Sequence, residues 1–169
     1  MKKREIVIAK SLMILIAVFS IIVYSKLKQE LPLKSDEVQF SKCTDGDTAH
    51  FMINGKDETV RFLAVDTPET VKSNTPVQPY GKEASDHTCS LLKNADTIHL
   101  EYEQEKTDKY GRLLAWVFVD DELLQLDLIE KGYAKVAYIY GDYKYTAELE
   151  KAEKKARKQK IGLWSDEVK

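Results

Sequence analysis

An Asn-Gly pair between two extended apolar runs restricts this chain more than any other feature. DTAHFMI (47–53) and TVRFLAV (59–65) flank NGKDE, and Asn54-Gly55 suits a two-residue hairpin turn, whose central positions take positive φ. A β-hairpin is therefore predicted. Pro68 closes its second strand, because proline has no N–H for a ladder and holds its predecessor extended. TIHLEYE (97–103) and LLAWVFV (113–119) are also strand-like, with the polar QEKTDKYGR between them, and YAKVAYIY (133–140) reads as extended. Three helices complete the pattern. KEASDHTCSLLKN (82–94) puts Ala84, Thr88, Leu91 and Leu92 on one face. ELLQLDLIEKG (122–132) ends on Gly132 as its C′ residue, and TAELEKAEKKARKQK (146–160) turns Leu149, Ala152 and Ala156 inward. Five strands with interspersed helices predict an α+β fold built on a small barrel.

The N-terminal segment is of a different kind. Lys2, Lys3 and Arg4 precede an apolar run from Leu12 to Tyr24, broken only by Ser20. That run reaches spanning length only if Ile6 to Ala9 join it and Lys10 snorkels to the interface. The flanking cations argue against a buried core helix and for a signal peptide or a signal anchor with a cytoplasmic N-terminus. An uncleaved anchor is favoured, since Ser20 and Ser25 have bulky neighbours and offer no small-x-small cleavage site. The expected organisation is an anchor or signal over 1–26, a linker over 27–36 and one domain over 37–169, outside the cytoplasmic membrane.

Charge constrains the partners. The whole chain is formally −2, but residues 1–30 hold six Lys/Arg and two Asp/Glu, leaving 20 basic against 26 acidic residues, or −6. Such a domain does not bind nucleic acid through bulk charge. If it handles a polyanion, local cations or a metal must help. Cys43 and Cys89 could pair or stay free, and the scattered His50, His87 and His99 argue against a histidine-based zinc site.

Three clusters carry chemistry, and each also has a plain structural explanation. Asp45-Gly46-Asp47-Thr48 could be a solvated turn. VRFLAVDTPET, with Arg61, Asp66, Thr67 and Glu69, could be a strand exit and helix cap. TDKYGR, with Lys109, Tyr110 and Arg112, could be a loop whose Gly111 supplies positive φ. Together they fit phosphodiester hydrolysis, which needs the phosphate charge neutralised and a water made nucleophilic. Asp47 and Asp66 supply hard carboxylate ligands for calcium, and Thr67 could add a backbone carbonyl. Arg61 and Arg112 suit bidentate grips on a phosphate, and Glu69 could orient or deprotonate water. One detail resists: Arg61 and Asp66 have opposite parity on an ideal strand. They converge only if the strand bends or ends before Asp66.

DGDT, VRFLAVDTPET, TDKYGR, YAKVAYIY and the terminal GLW, in that order, resemble the staphylococcal nuclease (thermonuclease) family over roughly Val38 to Asp166. The resemblance implies a five-stranded OB-fold β-barrel with three helices and calcium-dependent cleavage of DNA and RNA by a monomer. It gives Asp47, Asp66 and Thr67 as calcium ligands, Glu69 as general base, and Arg61 and Arg112 as the phosphate-holding arginines. Asp45 has no direct bond to the metal in the family pattern. Lys109, Tyr110, Tyr138 and Tyr140 match positions around the nucleotide's terminal phosphate and base, although Tyr138 and Tyr140, on an alternating strand, could equally be half-buried barrel residues. A non-catalytic OB-fold module that binds nucleic acid or a protein is the competing expectation; such a copy should lack at least one of Asp47, Arg61, Asp66, Glu69 or Arg112, and all five are present.

Overall fold

The computed structural model describes residues 36–70 and 78–165. The apolar N-terminal run lies outside the described residues. Among those described, no helix is long and apolar enough to cross a membrane.

The hairpin predicted around Asn54-Gly55 is the centre of the fold. Strands β3 (Thr48–Ile53) and β4 (Lys56–Phe62) pair antiparallel from Thr48↔Arg61 to Ile53↔Lys56, and both turn residues take positive φ. Burial alternates as a half-buried sheet requires: Ala49, Phe51, Val60 and Phe62 point into the core, with His50 and Arg61 outward of it. Strand β2 (Gln39–Cys43) pairs with β3. On its other side β4 runs parallel to β7 (Leu113–Val119), with Arg61 opposite Leu114. Strand β7 in turn pairs with β6 (Ile98–Glu101), and β6 with the short β1 (Asp36–Glu37).

The sheet order is thus β1-β6-β7-β4-β3-β2. Strands β1 and β2 are separated only by Val38, so one extended stretch lies at both ends of the order and the sheet must curl. It does not form the expected closed five-stranded barrel. The described residues hold nine short strands, and β5 (Val65–Asp66) and β9 (Lys135–Val136) form a separate pair.

Three helices pack around this sheet: α1 (Gly81–Asn94), α2 (Leu124–Glu130) and α3 (Thr146–Gln159). Helix α3 buries Leu149, Ala152 and Ala156, as its spacing predicts, and α1 buries Ala84, Thr88 and Leu92, with Leu91 only partly covered. Helix α2 begins two residues later than its pattern suggests. Asp120 and Asp121 both take positive φ, and the chain turns back so that β8 (Glu122–Leu123) pairs with the end of β7. Gly132 follows α2 in the left-handed conformation, the C′ position expected of it.

Gln125 on α2 is fully buried. Its Oε1 accepts from the Val117 N–H at 3.1 Å, and its Nε2 donates to the Ala115 carbonyl at 3.0 Å. The Ala115 carbonyl also accepts the Leu63 N–H at 3.0 Å, so where β4 leaves β7 the amide oxygen replaces the strand partner at Val117 and the amide nitrogen adds a second donor at Ala115.

Candidate active site

Strand β4 ends at Phe62, and Ala64 takes a left-handed φ of 58° before the chain becomes extended again at Val65–Asp66. This is the bend that the Arg61–Asp66 parity demanded. It lies four residues before Pro68, which therefore does not close β4. Arg61 Nη1 is 3.2 Å from Asp47 Oδ1, and its Nη2 is 3.8 Å from Asp66 Oδ1. The guanidinium is further fixed by the Phe62 carbonyl, which accepts from Nη1 at 3.1 Å.

The Asp45-Gly46-Asp47 loop is held from several directions. The N–H groups of Thr44 and Asp45 both donate to the Thr48 carbonyl at 3.2 Å, and the Asp47 N–H donates to Asp45 Oδ1 at 3.0 Å. Asp47 is 6% exposed. Its Oδ2 accepts the N–H of Thr67 at 2.8 Å and the Thr67 hydroxyl at 3.0 Å, while Thr48 Oγ1 donates to Oδ1 at 3.1 Å. A Cβ on Gly46 would sit 2.8 Å from Thr67 Oγ1 and 3.0 Å from the Ala84 Cβ, so this close approach requires glycine.

Glu69 lies beyond Pro68 on the wall of the same cleft. Its N–H donates to Gln78 Oε1 and its carbonyl accepts from the Gln78 N–H, both at 3.1 Å, which anchors the backbone carrying its carboxylate. Arg112 arrives from the loop before β7. Asp108 organises that loop: Oδ1 accepts the N–H groups of Tyr110 and Arg112 at 2.9 and 3.0 Å, and Oδ2 accepts Arg112 Nε at 2.7 Å. Burial pushes the Asp108 carboxyl up, but these hydrogen bonds outweigh it and hold it below the ordinary carboxylate range.

These groups converge on one cleft of about 570 Å³, lined by Asp47, Arg61, Asp66, Thr67, Glu69 and Arg112 together with Lys109, Tyr110, Tyr138 and Tyr140. The tyrosines are corrected in one respect. Tyr138 and Tyr140 do not lie on an alternating strand, because β9 stops at Val136 and Tyr138 takes φ 56°. Nor are they half-buried barrel residues: Tyr138 is 53% and Tyr140 77% exposed, as is Tyr110 at 72%. The Arg61 guanidinium carbon lies 5.4 Å from the Tyr138 ring centroid, and that of Arg112 lies 5.6 Å from the centroid of Tyr110. Each arginine is thus flanked by an exposed aromatic face.

The donor set suits a hard cation. Asp47 and Asp66 face the cleft, and burial, followed by the charge of Asp47, pushes the neighbouring Asp45 carboxyl up to about 6. Among the described residues no three His, Cys, Asp or Glu side chains group to hold a metal by themselves. Calcium, which readily takes backbone carbonyls and waters beside carboxylates, is compatible with two carboxylates and the Thr67 carbonyl.

Sequence reasoning missed three supporting residues. Lys135, opposite Asp66 in the β5–β9 pair, places Nζ 3.0 Å from Asp66 Oδ2. No spacing rule relates positions 66 and 135. Gln78 is equally silent in sequence, whereas Asp108 had a signal, since an aspartate just ahead of a Tyr-Gly pair marks a turn that captures N–H groups two residues on.

Comparison with known proteins places the chain in a family. The family model described as "Staphylococcal nuclease homologue" matches residues 59–166. A thermonuclease of Staphylococcus intermedius is 42% identical over 137 residues, covering 81% of each chain. A thermonuclease of Staphylococcus hyicus is 46% identical over 122 residues, 72% of each chain. Endonuclease YncB of Bacillus subtilis (strain 168) is 44% identical over 130 residues, 76% of this chain and 61% of its own. With these matches and its motifs in order along the chain, the protein belongs to the staphylococcal nuclease family.

Proposed function

We propose that this protein is a calcium-dependent nuclease that hydrolyses phosphodiester bonds of RNA and of single-stranded or frayed duplex DNA, outside the cytoplasmic membrane to which its N-terminal segment tethers it. The observation that carries the reading is the convergence of two arginines, Glu69 and the Asp47–Asp66 pair on one cleft with exposed aromatic rings. The nuclease relatives support the reaction class. The Cys43–Cys89 disulfide supports an oxidising location.

Calcium, when bound, supplies charge neutralisation and polarisation at the phosphate. Asp47, Asp66 and the Thr67 carbonyl would hold it. Glu69 takes a proton from the attacking water, so that the oxygen can form its new bond to phosphorus as the leaving oxygen departs. Arg61 and Arg112 donate to the non-bridging oxygens, where negative charge grows in the transition state. Tyr110, Tyr138 and Tyr140 offer faces for splayed bases, which would favour single strands over intact duplex. Lys109, 5.0 Å from the Tyr110 ring centroid, supplies a cation for a terminal phosphate.

The test is cleavage of heat-denatured DNA by the full chain, with calcium or with excess chelator, beside Glu69→Gln. Cutting should need calcium, and the variant should lose about 10²- to 10⁴-fold in kcat. Undiminished cutting in chelator would refute the metal's role. Binding without cutting in every condition would leave the non-catalytic OB-fold module as the better reading.

A further inference from the structure

The Cys43–Cys89 disulfide has no part in the chemistry above, yet it sits at the base of the cation loop. Cys43 is the last residue of β2 and is followed directly by Thr44-Asp45-Gly46-Asp47. Cys89 lies on α1, with Cα atoms 5.8 Å apart across the bond. Its neighbour on the helix, Thr88, is fully buried and donates its hydroxyl to the Gly46 carbonyl at 2.8 Å. Two adjacent residues of one helix thus hold the loop, one covalently at its entrance and one by a hydrogen bond at its centre. Ala84, one turn earlier on α1, completes this contact, since a Cβ on Gly46 would lie 3.0 Å from it.

The loop has no room to drift without consequence. Asp47 must keep Thr67 on Oδ2 and Arg61 beside Oδ1, and Asp47 and Thr67 are the groups proposed to hold calcium. A divalent site loses affinity when the shell that orients its ligands loosens. We infer that the Cys43–Cys89 disulfide is a positioning element of the cation site, so that calcium affinity depends on the redox state of the chain. The inference rests on the calcium reading above and adds its regulation. Reduction by a dithiol breaks the S–S bond: two electrons and two protons pass to Cys43 and Cys89, and the dithiol becomes a disulfide. The reverse exchange, with a disulfide oxidant, restores the site. A chain of this kind is fully armed only where disulfides persist, and is held weak in a reducing compartment that contains nucleic acid of its own.

The experiment is calcium titration by calorimetry on the full chain in detergent micelles. Three forms are compared: oxidised; reduced by dithiothreitol with the thiols then alkylated; and Cys43→Ser/Cys89→Ser, with and without reductant. Near-ultraviolet circular dichroism, to which the buried Trp116 contributes, is recorded for each. The expected result is calcium binding about 10- to 100-fold weaker in the reduced and double-serine forms. Their dichroism should stay native, and reductant should have no effect on the double-serine form. Equal affinity in oxidised and reduced forms overturns the inference. So does loss of the native dichroism on reduction, which would make the bond a staple of the whole fold. If the oxidised chain neither binds calcium nor cuts DNA, the calcium reading fails first and takes this inference with it.

Discussion

Asp108 performs no chemistry in the proposed reaction, yet the aim of Arg112 depends on it. Asp108→Asn keeps one acceptor but removes the charge opposite Nε, and should lower kcat about 10-fold with a smaller change in KM, measured by steady-state cleavage. Its pH dependence has a definite sign. A carboxyl held below its ordinary range adds stability above its unfolded pKa, and loses it as pH falls through the lowered value in the fold. The melting-temperature gap between wild type and Asp108→Asn should therefore be constant from about pH 8 to 5 and shrink below about pH 4. Lys135 acts in the opposite sense to Asp108, because its ammonium occupies an oxygen of Asp66 that the cation would use. Lys135→Gln should tighten calcium binding by about 3- to 10-fold in calorimetry, as expected for removing one half-exposed charge a few ångströms away. No change would show that the lysine leaves the site when metal arrives.

At the scale of elements, the active centre is made by strands that stop. Had β4 continued to Pro68, as the sequence suggests, Arg61 and Asp66 would face opposite ways. It stops at Phe62 because Ala64 is left-handed, and alanine gives no sign of that in sequence. Ala64→Val should cost about 2 kcal/mol, since a β-branched side chain resists this conformation. Chemical denaturation would measure that loss, and calcium affinity should fall with it as Asp66 shifts. The same logic explains the tyrosines. YAKVAYIY is rich in β-branched and aromatic residues and reads as a strand, but its partner β5 is only two residues long, so the pairing ends at Val136. What was legible was local: the Asn54-Gly55 hairpin, the buried stripe of α3 and the charged motifs themselves. What was illegible came from pairs far apart in the chain, such as Asp66 with Lys135 and Glu69 with Gln78, and from the one-residue bends that bring them together.

At the scale of the whole molecule, the charge balance sets how the substrate is held. With −6 over residues 31–169, binding rests on a few placed cations. If Arg61, Lys109 and Arg112 each meet one phosphate, log K against log salt should have a slope of about −2 for single-stranded DNA. Fluorescence anisotropy of the Glu69→Gln protein would measure this; a much steeper slope would bring the lysines of α3 into the interface.

The buried amide of Gln125 also decides which variants of this protein can exist. Its oxygen covers the Val117 N–H that β4 leaves open when it departs, so the departure and the amide that offsets its backbone cost form one inherited unit. Glutamate would bury a charge, leucine would leave the Val117 N–H without a partner, and asparagine would lack the reach. In a library saturated at every position and sorted for folded protein, position 125 should therefore retain glutamine alone, though it lies apart from every reacting atom. The exposed Tyr110 and Tyr140, which line the cleft and are proposed to meet the substrate, should vary freely until the same library is sorted for cutting.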